Sequence, residues 1–124
     1  MAAAVRRQRF PRQRRLRLRA DYVAVQNQGR RVGGAHYLLF ARPSSASAQT
    51  PHARVGITVS RKVGNAVVRN RVKRWVRESC RRSVLGEVPP GLDLVIVARP
   101  SAANAGLAPT ALELASLVKR LRGR

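Results

Sequence analysis

Residues 92–98, LDLVIVA, are the most strand-like stretch of the chain: short, unbroken and rich in valine and isoleucine. An apolar run of this length has no polar face to offer water, so it implies a strand covered on both sides. Only Asp93, near its start, breaks the pattern. The flanking segments supply candidates for the cover. Leu16 to Gln28 reads as a short helix with Tyr22, Val25 and Gln26 on one face and Leu18 a turn earlier. Gly29 is its natural stop. Near the other end, Thr110-x-x-Glu113 reads as a capping box that opens a last helix. That helix carries Leu114, Leu117, Val118 and Leu121 on one stripe.

Further strands follow from alternation. Val32 suits a short edge strand. His36 to Arg42 turns Tyr37, Leu39 and Ala41 one way and Leu38, Phe40 and Arg42 the other. Arg54 to Ser60 is β-branched, with Val55, Ile57 and Val59. Pro43 to Pro51 is a Ser/Ala/Pro loop between them, and Pro100 to Ala108 is another loop. Arg61 to Gly64 leads to Asn65, a helix N-cap. A helix then runs from Ala66 to about Leu85, stopped by Pro89-Pro90-Gly91. The order is α-β-β-β-α-β-α, which makes an α+β domain on one sheet. Residues 1–15 read as a flexible basic arm and 16–122 as the domain.

The core must be aliphatic, since 44% of the 124 residues are hydrophobic and only 4% aromatic. A formal net charge of +21 makes a compact domain repel itself and calls for a polyanionic partner. Nucleic acid fits that need better than a membrane, which no apolar run here could span. Almost all the positive charge is arginine, whose planar fork matches phosphates and guanine edges. A GC-rich genome would leave the same arginine bias. Cys80 is the only cysteine, which excludes an internal disulfide and suits a reducing cytoplasm. No secretory signal opens the sequence.

The central helix divides cleanly on a helical wheel. Val68, Val72, Trp75, Val76 and Ser79 fall on the side that packs on the sheet. Arg69, Asn70, Lys73, Arg74, Arg77 and Arg81 fill a broad opposing arc, with Arg71 near its boundary. Arg69, Lys73, Arg77 and Arg81 repeat at four-residue spacing, where like charges destabilise a helix. Glu78 is almost the only acidic relief. A face shaped for solvation alone would mix signs. Gly64-Asn65 ahead of this helix also leaves backbone N–H groups in a positive field, a seat for phosphate.

Catalytic constellations are absent from the sequence. Asp21, Glu78, Glu87, Asp93 and Glu113 sit on separate elements without metal-pair spacing. His36 and His52 have no neighbouring acid to orient them. Cys80 reads as packing. A sequence-specific DNA binder would need a dimer or a helix-turn-helix context, and neither is visible.

The stretch RVGITVSRKVGNAVVRNRVKRWVRE (54–78) resembles the signature of the bacterial ribonuclease P protein family. Arg69-Asn70-Arg71 stands as its "RNR" motif, followed by Lys73, Arg74 and Arg77. Arg14 to Arg31 resembles the family's first helix, Tyr37 to Ala41 its second strand, and Asp93 to Pro100 its last strand. The resemblance spans about residues 12–121. It implies one mixed sheet with a left-handed βαβ crossover, like the second domain of a small-subunit ribosomal protein. That handedness opposes the usual preference.

The resemblance also implies a role as the protein subunit of a ribozyme that removes the 5′ leader from precursor tRNA. The catalytic RNA carries the chemistry with Mg²⁺; this chain carries no catalytic residue and binds no metal or other cofactor itself. Its partners are then the catalytic RNA and precursor tRNA, in the cytoplasm, with no membrane and no protein partner required. Arg61, Lys62 and Asn65 in the loop would join Arg69, Asn70 and Arg71 in binding the catalytic RNA, together with Lys73, Arg74, Arg77 and Arg81. Tyr22, Gln26 and Phe40 would line a cleft for the single-stranded leader, since aromatic faces accept unstacked bases of any sequence. The family commonly has an aromatic residue where Gln26 stands, a loss of one stacking platform worth roughly 1–3 kcal/mol per base. A ribosomal or ribosome-assembly protein without nuclease role shares the size, charge and basic arm.

Overall fold

One of the sheet's two interior strands is Leu92–Ala98, and both of its faces are covered. The computed structural model describes residues 15–16, 19–44, 53–84, 88 and 91–122. In chain order these form α1 (Arg19–Gln28), β1 (Arg30–Gly33), β2 (Tyr37–Pro43), β3 (Arg54–Thr58), α2 (Ala66–Ser79), β4 (Leu92–Ala98) and α3 (Leu107–Arg122). A π-helical turn, Cys80–Val84, extends α2, and a 3-10 turn, Pro100–Asn104, precedes α3. The strands lie in the order β1-β2-β4-β3. β1–β2 and β2–β4 are antiparallel, and β3–β4 is parallel, so α2 lies on the crossover between β3 and β4. This is the α-β-β-β-α-β-α order and mixed sheet that the sequence predicts.

Strand alternation sorts the side chains into two layers. Tyr37, Leu39 and Ala41 of β2 join Leu94, Ile96 and Ala98 of β4 in the main core. Val72 and Val76 of α2 and Leu114, Leu117, Val118 and Leu121 of α3 close it from the same side. Val95 points to the other layer, where it is buried with Val25 of α1 and Leu16. α1 crosses this second face. Tyr22 lies against Gly56 of β3, Val25 packs with Val95 of β4, and Gly29 approaches Ala41 of β2.

Several sequence expectations shift. Leu16 does not start the first helix: its N–H donates to the Val55 carbonyl at 2.9 Å, and Arg15 bridges Val55 in parallel. Backbone pairing with an edge strand outcompetes helix propensity there, and it anchors the last residue assigned to the arm. Capping by Thr110 and Glu113 is overturned. Gly106, at φ 86°, turns the chain into α3, and Leu107 begins the helix. Thr110 is instead buried, its hydroxyl 2.8 Å from the Tyr37 hydroxyl. Glu113 accepts the backbone N–H groups of His36 and Tyr37, each at 2.8 Å, and so closes the β1–β2 turn from outside. The α2 stripe packs chiefly on α3, within the core that also takes in the sheet. Residues 1–14, Leu18, the centre of the Pro43–Pro51 loop, His52, Leu85, Glu87 and Pro89-Pro90 lie outside the described residues.

Candidate nucleic-acid interface

β3 delivers the chain into a short turn that is pinned at both ends. Val59 and Val63 are buried, while Ser60, Arg61 and Lys62 between them are exposed. The Val63 N–H donates to the Ser60 carbonyl at 3.1 Å and closes the turn. A Cβ on Gly64 would stand 2.8 Å from the Val68 side chain, so only glycine lets the turn fold down on the helix. Asn65 is the N-cap, its Oδ1 accepting the Val68 N–H at 3.0 Å. That bond occupies one of the amides read from sequence as a phosphate seat.

Along α2, Val72, Val76 and Ser79 are buried, and Val68 and Trp75 pack at the core's edge. Asn70, Arg71, Arg74 and Arg77 are exposed, with Arg69, Lys73 and Arg81 half-buried beside them. Arg71 lies over the Trp75 ring, its guanidinium carbon 5.7 Å from the centroid. The Nε of Arg69 is buried with no hydrogen-bond partner among the described residues. Arg81 and Arg82 both engage Glu78, Arg82 through its Nε at 2.8 Å. The hydrogen bond from Arg81 is the first cause that holds the Glu78 carboxyl below its ordinary value; burial opposes it, and the Arg81 and Arg82 charges add to the lowering. Arg81 is thus the one member of the predicted RNA-binding set whose charge is already matched by a described carboxylate.

The second surface is the sheet face under α1. Its register places Thr58, Val97, Leu38 and Gly33 in one row across all four strands, with Gly56, Val95, Phe40 and Arg31 in the next. A groove of about 340 Å³ opens beside α1, lined by Arg19, Tyr22, Val23, Gln26 and Thr58. Phe40 packs half-buried in the layer beneath, with Val97. The Tyr22 hydroxyl donates to the Leu16 carbonyl at 3.1 Å. Burial raises its pKa above the usual phenol range, opposed by the Ile57 backbone N–H and the Arg77 charge, so the ring stays neutral at pH 7. The charge of Arg77, on α2, is the weakest of these influences on Tyr22. Tyr22 and Gln26 come together in this groove, with Phe40 in the adjoining layer. Arg19, Val23 and Thr58 were missed from sequence; the two-residue period from Gly56 to Thr58 is the signal that places Thr58 on this face.

Away from both surfaces, Arg54 forks onto Asp93 with bonds of 2.9 and 2.8 Å and reaches Asp21 at 3.8 Å. Ser44 donates to the same Asp93 at 2.7 Å. Two carboxylates that sequence spacing kept apart are thus brought to one guanidinium. Among the described residues, no three His, Cys, Asp or Glu side chains gather as a metal site.

Fold and site together define a small single-sheet α+β protein that presents an arginine-rich helix face and, beside its first helix, a groove lined by Tyr22 and Gln26. A family model described as ribonuclease P matches residues 10–122. The ribonuclease P protein component of Desulfovibrio desulfuricans is 44% identical over 119 residues, covering 94% of this chain and 89% of its own. The Thermotoga maritima component is 38% identical over 90 residues, 73% of each chain. In structure, the Staphylococcus aureus RNase P protein superposes with a TM-score of 0.75 at 27% identity, over 88% of this chain and 95% of its own. The Thermotoga maritima RNase P protein gives 0.73 at 33% identity, over 86% and 96%. The chain belongs to the ribonuclease P protein family, the protein components of that tRNA-processing endoribonuclease.

Proposed function

We propose that the outer face of α2 and the turn before it bind the catalytic RNA of ribonuclease P, and that the groove beside α1 holds the 5′ leader of precursor tRNA. The observation that carries this reading is where the negative charge goes. The chain has five carboxylates against 26 lysines and arginines. Asp21 and Asp93 turn to Arg54, Glu113 to two backbone amides, and Glu78 to the C-terminal end of the basic face. Arg71, Arg74 and Arg77 face solvent with no described carboxylate in ion-pair distance. Such a row costs folding energy that a phosphate backbone offsets on binding.

The same commitments argue that metal chemistry does not belong to this chain. Its described carboxylates already hold guanidinium or amide groups, so they do not fit a Mg²⁺ site, and Mg²⁺ acts with the RNA. The protein positions and screens: Arg61, Lys62, Arg69, Lys73 and Arg74 neutralise phosphate, and Arg71 on Trp75 adds a stacked cation. Tyr22 offers a neutral aromatic edge to an unstacked base. No protein partner is needed for this assistance, and it takes place in the cytoplasm. No helix of the described residues is long and apolar enough to cross a membrane.

Reconstitution tests the proposal. The purified chain is added to the same organism's catalytic RNA and precursor tRNA at low Mg²⁺, and leader release is scored. Cleavage requiring both components is expected. Tight RNA binding without stimulation would favour a ribosomal or assembly role, and cleavage by the protein alone would point to an active site of its own.

A further inference from the structure

Where α3 ends, a cavity of about 420 Å³ opens over the last residues of β2 and the first of β4. Ala41, Pro43, Leu92 and Leu121 give it an apolar floor, and Arg30 and Arg42 stand at its rim. It belongs to neither surface described above. Along β2 its lining residues Ala41, Arg42 and Pro43 stand three to five residues beyond the Leu38 row, roughly 10–17 Å at strand rise.

The two rim arginines are fixed without being neutralised. Arg30 donates to the Leu121 carbonyl at 2.8 Å, and Arg42 donates to the Gln28 side-chain carbonyl at 2.6 Å. Neither has a described carboxylate within ion-pair distance, in contrast to Arg54, Arg81 and Arg82. Asp21 and Asp93 share a small void with Arg42 but turn their oxygens to Arg54. A guanidinium held by a neutral acceptor keeps its charge and its remaining N–H donors. The negative end of the α3 dipole is offset by Lys119, Arg120 and Arg122 in its last turn.

From this arrangement we infer that the cavity seats one unpaired nucleotide of the catalytic RNA, with its base on Ala41, Pro43 and Leu92 and its phosphate on Arg30 and Arg42. The volume is in the range of small-ligand sites, about 300–1,000 Å³. The rim selects an anion, and the floor selects one with a flat apolar part. The floor faces away from the groove, since Ala41 turns to the opposite side of β2 from Phe40. The nucleotide site stands on the cavity alone; its assignment to the catalytic RNA rests on the ribonuclease P reading.

The test is a titration of the full chain with adenosine 5′-monophosphate, adenosine and inorganic phosphate, followed by the backbone amide shifts of Ala41, Leu92 and Leu121. The monophosphate is expected to shift all three, with adenosine and phosphate each about tenfold weaker or more. An R30Q/R42Q double variant should weaken the monophosphate by a similar factor at an unchanged melting temperature. If the double variant misfolds, Arg42→Gln alone replaces it, since Arg42 leaves only a Gln28 contact. The same variant should lose several-fold affinity for the catalytic RNA while the leader's contribution to precursor binding holds. Shifts confined to α2 or the groove would overturn the site. Phosphate matching the monophosphate would reduce it to an anion site and overturn the nucleotide. Lost leader discrimination, or unchanged affinity for the catalytic RNA, would overturn the assigned source.

Discussion

Tyr22 lies against the backbone of Gly56 so closely that a Cβ built there would stand 2.6 Å from two carbons of the ring. The wall of the groove is therefore set by the absence of a side chain on β3. Gly56→Ala forces the ring off the strand, because the neighbour is a rigid aromatic body with a tethered hydroxyl. The expected cost is about 1–3 kcal/mol, as for other overpacked sites. The same variant should bind precursor tRNA with less benefit from the leader, while binding of leaderless tRNA is unaffected. Denaturant unfolding and paired affinities read the two effects; an unmoved leader contribution would remove Tyr22 from the leader site.

Asp93 is the polar exception in a buried strand, and its partner explains it. Arg54 and Asp93 are 14% and 6% exposed at their side chains, and the bond is two-pronged. Hydrogen bonding to Asp93 is also the first cause that raises the Arg54 pKa. Asp93→Asn keeps the shape and removes the charge, leaving Arg54 to a distant Asp21. Removing one partner of a buried pair costs about 3–5 kcal/mol, and the second carboxylate puts this case at the lower end. Arg54→Met with Asp93→Leu should recover part of the loss. A double variant no more stable than the single one would show that the pair does more than satisfy itself.

What the sequence made legible follows the physics of each signal. β4 was readable because a continuous valine-isoleucine run has one solution, and α2 because its apolar stripe and Asn65 agree. Thr110 and Glu113 misled because a capping box is a local pattern. Here both side chains serve a strand more than 70 residues away in sequence, and no local rule reports that. Leu16 fooled the helix period because its backbone pairs with β3. In the site, the exposed arginines of α2 were visible from spacing alone. Thr58 and the cavity at the end of α3 were not, since both depend on strand register and on where a helix stops.

Cys80 is fully buried, and burial pushes its thiol up to about 12. In the unfolded chain it ionises near the ordinary cysteine value, about 8.5. The folded state therefore holds its proton through the interval, and stability from this group is complete below pH 8.5. It falls as pH rises from there toward 12, because only the unfolded chain gains by losing the proton. Native protein at pH 8 should resist iodoacetamide, and labelling should appear with unfolding in denaturant. Rapid labelling of native protein would mean that the π-helical turn opens locally.

Glu78 sits where the basic face of α2 ends, and it matches charge that RNA would otherwise meet. Its carboxyl is held below its ordinary value by the Arg81 hydrogen bond, so it is ionised at neutral pH. Its stabilising effect is present above the unfolded value and is lost only as pH falls through the lower folded one. Glu78→Gln removes this charge and with it the ion pairs to Arg81 and Arg82. Stability should fall by only about 0.5 kcal/mol, since the pairs are partly solvated. Affinity for the catalytic RNA should rise, and the slope of log affinity against log salt should steepen by about 0.7–0.9 for each phosphate newly neutralised. Arg77→Ala should move the slope the other way by a similar amount, because Arg77 has no acidic partner to release. Arg81→Ala should change it less than Arg77→Ala. Equal effects of Arg77→Ala and Arg81→Ala, with Glu78→Gln silent, would mean that the RNA reads the helix without regard to how its charge is matched.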